Sequence, residues 1–199
     1  MPDYTVIADV SSTLKSVLED AYKPLDPAAP PVVEISDLQG NISTNPARMT
    51  LFLFETVEDP SARNRPKVRV IPPPPPGTSV AMRKPPMALL LRYMLTPWSG
   101  DRLTDHKLVG RTLQVLYDGA VMSGTQLQGG LKGTDQALKV TLSPLTLEER
   151  ARVWYAIEKP YRLSLTYEVR VVNLDAELVE LISPVSERNV RYLGPEAAQ

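Results

Sequence analysis

The sequence contains no cysteine, a single histidine and only ten glycines in 199 residues. The first absence excludes disulfides and thiolate metal sites and suits a reducing cytoplasm, although many secreted proteins also lack cysteine. The second leaves little material for imidazole chemistry. His106 has Asp101 and Asp105 for neighbours, which share a helix face with nothing converging from a second element, so it reads as a solvated helix residue. No long apolar run is present either. The longest, MALLL at residues 87–91, is far short of the ~20 residues of a membrane span. The opening MPDYTVIADVSSTLK has no basic region followed by an apolar run and does not read as a secretory signal.

Charge of one sign is also missing. Twenty-two Lys and Arg balance 23 Asp and Glu to a net charge of −1, so no global basic field draws in nucleic acid or anionic lipid. Neither GxSxG nor GxxxxGK[ST] occurs, and the glycine-containing GGLKG reads as a hairpin turn. Adjacent carboxylates occur at Glu148 and Glu149, where a helix N-terminus favours negative charge. The residues therefore predict no enzyme, no cofactor and no metal.

What the chain has in excess is proline. Twenty prolines are double the usual share of about 5%. Five are consecutive: Pro72, Pro73, Pro74, Pro75 and Pro76. Such a run donates no backbone N–H and favours an extended form, so it serves as a ligand for an aromatic groove, a stiff spacer or a loop at a sheet edge.

Periodicity organises the rest as one domain of ordinary globular composition, 43% hydrophobic and 23% charged. Residues 4–23 read as an amphipathic helix with Ile7, Val10, Leu14, Val17, Leu18 and Ala21 on one stripe. Strands are expected at 32–36 and 49–57, joined by the turn-like DLQGNISTNPAR, and at 68–71. MALLLRYMLTPW is apolar on both faces, as expected of a central strand in a sheet covered on both sides. A second helix over 101–117 carries Val109, Leu113, Leu116 and Tyr117, and residues 137–142 form a strand after a glycine-containing loop or hairpin. Thr146 and Glu149 make a capping box for a third helix, with Val153, Trp154 and Ile157, that stops before Pro160. In YRLSLTYEVRVV, Tyr161, Leu163, Leu165, Tyr167, Val169 and Val171 alternate with polar residues, which sets a strand register. The fold class is α+β, a mostly antiparallel sheet with about three packed amphipathic helices.

Basic residues recur around the proline run. Arg63, Arg65, Lys67 and Arg69 alternate, and Arg83 and Lys84 join them in a rim if the loop folds back. Stacking aromatics, usual in a nucleic-acid site, are absent between Glu55 and Tyr93. The rim reads either as a surface for an acidic protein neighbour or as a solvated linker.

Five stretches taken in order, IADVSSTLKSVLED, MTLFLFETVEDPSARNRP, KPPMALLLRYMLTPW, DHKLVGRTLQVLYD and LKVTLSPLTLEERARVWYAIEKPYRLSLTYEVRVV, resemble the cap, or tail-terminator, proteins of extracellular contractile injection systems of the antifeeding-prophage and Photorhabdus-virulence-cassette type. The resemblance covers residues 4–175. It implies a tail-terminator-like structural protein that forms a ring, generally a homohexamer, on the end of the inner tube far from the baseplate. There it ends tube and sheath growth and anchors the sheath. The implied partners are further copies of itself, the inner-tube protein and the sheath protein, with no nucleic acid and no direct membrane insertion. Assembly is expected in the cytoplasm, on a particle later released. An adaptor joining the particle's distal end to a cellular or membrane partner is the alternative.

On this reading residues 1–175 form the cap domain and 176–199 a C-terminal strand or arm with a disordered end. The interface candidates are Arg63, Arg65, Arg69, the prolines 72–76, Arg83 and Lys84, with Arg188, Arg191 and Tyr192 in the arm. The proline run becomes either a stiff loop touching a neighbouring subunit or the sheath, or an unengaged surface loop.

Overall fold

The computed structural model describes residues 3–63, 65–70 and 79–182. In chain order the elements are α1 (Val6–Tyr22), β1 (Val32–Ile35), β2 (Arg48–Glu58), β3 (Val68–Arg69), β4 (Val80–Arg83) and β5 (Met87–Trp98). They continue with α2 (Arg102–Asp118), β6 (Val121–Ser123), β7 (Ala137–Leu142), α3 (Leu147–Ala156), β8 (Leu165–Leu174) and β9 (Val179–Ile182). The chain is α+β and its strands pair mostly antiparallel. It divides into two compact units: Met1–Asn64 with Pro86–Asp175, and Arg65–Pro85 with Ala176–Gln199.

The first unit is a six-stranded sheet in the order β1-β2-β5-β8-β7-β6. β5 is central because both of its faces are apolar, and each face has its own core. On one face, Leu89, Leu91, Tyr93 and Leu95 meet α1 and α2. Val10, Leu14 and Leu18 recur every fourth residue and are buried, as the helical period requires, while Ile7 and Val17 are half-buried at the stripe's margin. Buried hydroxyls join the layers: Tyr22 shares a 2.6 Å hydrogen bond with Thr112 of α2, and Ser11 one of 2.8 Å with Tyr93. Burial pushes the Tyr93 phenol up to about 12, so it stays neutral and available as a donor.

On α2 the buried stripe is Asp105, Leu108, Thr112 and Leu116, whereas Tyr117 is 85% exposed. The apolar pattern that includes Val109 and Tyr117 is therefore rotated from the true inner face. Two polar side chains take inward positions because each finds a partner there.

The second face carries α3 and the 36–47 connection. Trp154, Leu38 and Met94 are its buried centre, with Phe52, Phe54, Trp98 and Ile157 packed around them. The capping box at the start of α3 is present: Thr146 Oγ1 accepts from Glu149 N at 3.2 Å, and Glu149 accepts from Thr146 N at 2.7 Å. The backbone N–H of Thr146 holds the Glu149 carboxyl below its ordinary value.

β1 and β2 pair in parallel, so their connection is a crossover rather than a turn. A parallel neighbour needs roughly a dozen residues to return to the same end, and the 36–47 segment supplies them. It does so by laying Leu38, fully buried and at φ 63°, against the second core.

The structure also shifts the strand expected from residue 161. β8 begins at Leu165, and Tyr161 and Leu163 remain 45% and 41% exposed. Its polar side is not the wet side. Ser164, Thr166 and Glu168 are buried beneath the second layer. A bulge opposite Leu89 to Leu91 then breaks the alternation, so that Val172 enters the first core.

The loop between β6 and β7 is tied to α1. Gly130 N donates to Asp9 Oδ2 at 3.0 Å, and Gln128 N donates to Thr13 Oγ1 at 3.0 Å. Gly129 has φ 59°, and a Cβ there would lie 1.9 Å from Asp9 Oδ1. Gly129→Ala is expected to lower stability by about 1–3 kcal/mol, since left-handed backbone strain adds to displacement of Asp9. Urea titration of the two proteins checks this, and an unchanged midpoint contradicts it.

The second unit is a three-stranded antiparallel sheet in the order β3-β4-β9. Among its described residues, Val68, Val179, Leu181 and Ile182 are exposed apolar side chains.

Candidate functional site

Two polar constellations form in the first unit. Glu55, Arg92 and Glu168 stand in register across β2, β5 and β8. Arg92 Nη1 donates to Glu55, and its Nε donates to Glu168 Oε1 at 3.1 Å. Arg170 Nη2 reaches the other oxygen of Glu168 at 3.0 Å. The Glu168 side chain is only 9% exposed. Burial opposes its ionisation, but the hydrogen bonds from Arg170 and Arg92 outweigh burial and hold the carboxyl below its ordinary value.

The second constellation lies at the end of β5. Asp101 caps α2, its side chain accepting from Thr104 N at 2.9 Å. Asp105, 3% exposed, accepts from Ser99 Oγ at 2.8 Å and from Arg162 Nη2 at 3.2 Å. Arg162 also donates through Nε to Pro97 O at 3.1 Å, and its guanidinium lies 4.3 Å from the Trp98 ring centroid. Of these, Trp98 and Arg162 line a cleft of about 720 Å³, together with Arg102, Trp154 and Lys159. A second, uncharged groove of about 520 Å³ runs between Leu113, Leu116 and Tyr117 of α2 and Val140 to Leu142 of β7.

The basic residues singled out in the sequence fall in both units. Arg63 follows β2 in the first and pairs with Glu58 at 3.3 Å. Arg65, Lys67, Arg69, Arg83 and Lys84 belong to the second. There β3 and β4 place Val68 opposite Arg83 and Arg69 opposite Met82, so Arg69 and Arg83 project from opposite faces of the pair. Lys67 pairs with Glu180 on β9. The described part of this unit carries these five cations against Glu177 and Glu180. Pro72, Pro73, Pro74, Pro75 and Pro76, and Arg188, Arg191 and Tyr192, lie outside the described residues.

His106 is exposed on α2. Among the described residues no three His, Cys, Asp or Glu side chains are grouped so as to hold a metal ion, and no helix is long and apolar enough to cross a membrane. The arrangement consists of ion pairs, buried hydroxyls and surfaces. The sequence reading did not reach the Asp105–Arg162–Trp98 cluster or the Glu55–Arg92–Glu168 ladder. Arg92 itself was the available signal, since one cation inside an otherwise apolar strand requires a carboxylate in register.

A family description now bears on these surfaces. The Pvc16 N-terminal domain family matches residues 9–188. The chain belongs to this family. Two solved structures share the fold. One is the sheath/tube terminator of a PVC extracellular contractile injection system in the extended state, with a TM-score of 0.60 and 19% identity. The likeness spans all of this chain and 67% of that one. The other is the tube-terminating cap of the anti-feeding prophage, with a TM-score of 0.56 and 17% identity, over 93% of this chain and 61% of that one. This chain thus spans about two thirds of the length of the terminators it resembles. No curated protein matches it.

Proposed function

We propose that this protein is a structural cap of a phage-tail-like contractile injection system, ending the tube and sheath at the end far from the baseplate. The observation that carries the reading is the family match over residues 9–188, joined to a terminator fold along the whole chain. Copies of the chain form a closed ring, a homohexamer, through heterologous contacts that close at a fixed copy number. One ring face matches the last tube layer and the other offers no docking surface, which is how growth stops. The ring also anchors the distal sheath, and no catalytic step is assigned to it. Assembly takes place in the cytoplasm, on particles that act outside the cell.

The first unit is assigned to the ring body. The second, which joins residues 65–85 to 176–199, is assigned to contact with a neighbour. Its excess of cations, with Arg65, Arg69, Arg83 and Lys84 as the contact residues, favours acidic protein neighbours. The prolines 72–76 and Arg188, Arg191 and Tyr192 belong to the same proposed contact.

Particles made without this chain are expected to carry tubes and sheaths of uncontrolled length, and resupplying the chain restores a uniform length. Deleting residues 72–76 alone is expected to weaken ring attachment. Electron micrographs of purified particles read both outcomes. A uniform length without the chain rejects the capping role, and normal particles after the deletion remove the proline contact.

A further inference from the structure

The cleft at the Trp98 end of the sheet has a one-sided charge. Arg102, Lys159 and Arg162 line it, and among the described residues no carboxylate does. Among the described residues Asp105 is the one acidic group contacting these cations, at 3.2 Å from Arg162 and 3.4 Å from Arg102. One carboxylate against three cations leaves the wall positive.

The cations differ in what they still offer. Arg162 is held rigid by Pro97 O, Asp105 and the Trp98 ring, and these contacts use two of its five N–H donors. A fixed guanidinium is a fork already shaped for an oxyanion. Arg102 has a side chain 76% exposed and holds Asp105 only loosely. Lys159 spends one N–H on Gly40 O at 2.6 Å and keeps two. Beside them Tyr161 and Leu163 expose 45% and 41% of their surface. Charge and apolar surface therefore adjoin in a volume of the usual ligand-pocket size, roughly 300–1,000 Å³.

The geometry points to a binding site for an acidic peptide segment, with carboxylates on Arg102, Lys159 and Arg162 and an adjacent apolar side chain on Tyr161 and Leu163. A phosphodiester would meet the same cations. Single-stranded nucleic acid, however, needs open aromatic faces to stack on and a basic groove to follow. Here Arg162 already lies over the Trp98 ring, which leaves the single half-exposed Tyr161 ring rather than a series of stacking faces, and the chain as a whole carries a net charge of −1. That the segment comes from a neighbouring particle protein rests on the capping role. The cleft's selection of carboxylates does not.

The test uses the full chain and a short fluorescein-labelled peptide of alternating Glu and Leu, followed by fluorescence anisotropy at low and raised salt. The same peptide with Gln for Glu and an oligothymidylate serve as comparison probes. The wild type is expected to bind the Glu peptide in a salt-sensitive manner and the other two weakly. Arg102→Gln and Lys159→Gln are expected each to weaken binding several-fold, and together by at least about tenfold, or ~1.4 kcal/mol. Lys132→Gln, at an exposed site on the β6–β7 loop, should bind as the wild type does. Thermal melts establish that each variant is folded, and Lys159→Gln leaves the Asp105 ion pairs intact. Undetectable binding of the Glu peptide, equal binding by the double variant, or preference for the Gln peptide or the oligothymidylate each overturns the site. If the chain proves not to be a cap, the peptide measurement still decides the cleft.

Discussion

Arg92→Ala is expected to destabilise the protein by about 2–3 kcal/mol at neutral pH. Removing one partner of a fully buried pair costs roughly 3–5 kcal/mol, and the partial exposure of Arg92 and Glu55 brings the figure down. The loss is large because Arg92 serves two carboxylates, and its removal leaves Glu168 buried with Arg170 alone. In a chain of this size that corresponds to a melting temperature lower by roughly 5–10 °C. The pH dependence separates this cause from lost packing. Glu168 titrates below its ordinary value in the folded protein, so its ion pairs contribute above the unfolded carboxylate value of about 4.3. That contribution is lost as the pH falls through the lowered folded value. The penalty of Arg92→Ala should therefore be full at neutral pH and shrink below about pH 4, as the carboxylates protonate. Urea titrations of both proteins across this range check it. A penalty that does not change with pH would mean that Arg92 acts through its aliphatic stem.

Trp154→Ala is expected to cost more, about 3–5 kcal/mol, the range for truncating a buried aromatic side chain. Trp154 is 1% exposed and is the largest residue of the second core, where it meets Leu38 and Met94. Its indole N–H also donates to Ser164 Oγ at 3.3 Å, so the variant leaves a buried hydroxyl short of a partner. The damage should be greatest on one face. Amides of α3 should exchange hydrogen much faster in the variant, while those of α1, on the opposite face, follow only the global loss of stability. Equal acceleration in α1 and α3 would mean that the two cores are not separate.

Local patterns carried much of this fold. The helical stripe of Val10, Leu14 and Leu18, the capping box at Thr146 and the two-sided apolar strand at residues 87–98 all stand where their spacing places them. What the sequence concealed depends on what covers each face. Alternation in YRLSLTYEVRVV separates two sides of a strand but does not say which side water sees, and α3 buries the polar one. The parallel pairing of β1 with β2 was hidden because DLQGNISTNPAR has the composition of a turn, yet Leu38 within it is a core residue. The Asp105–Arg162 pair spans 57 residues, and no local spacing encodes it. Arg63 and Arg65 look equivalent in sequence but belong to different compact units. The proposed function became legible through ordered family segments and not through any cluster of reactive side chains.

Whether this chain caps a contractile particle is decided by labelling it on intact purified particles and locating the label by electron microscopy. A capping role places the label only at the end opposite the baseplate. Label distributed along the shaft, or particles that carry none, would contradict it.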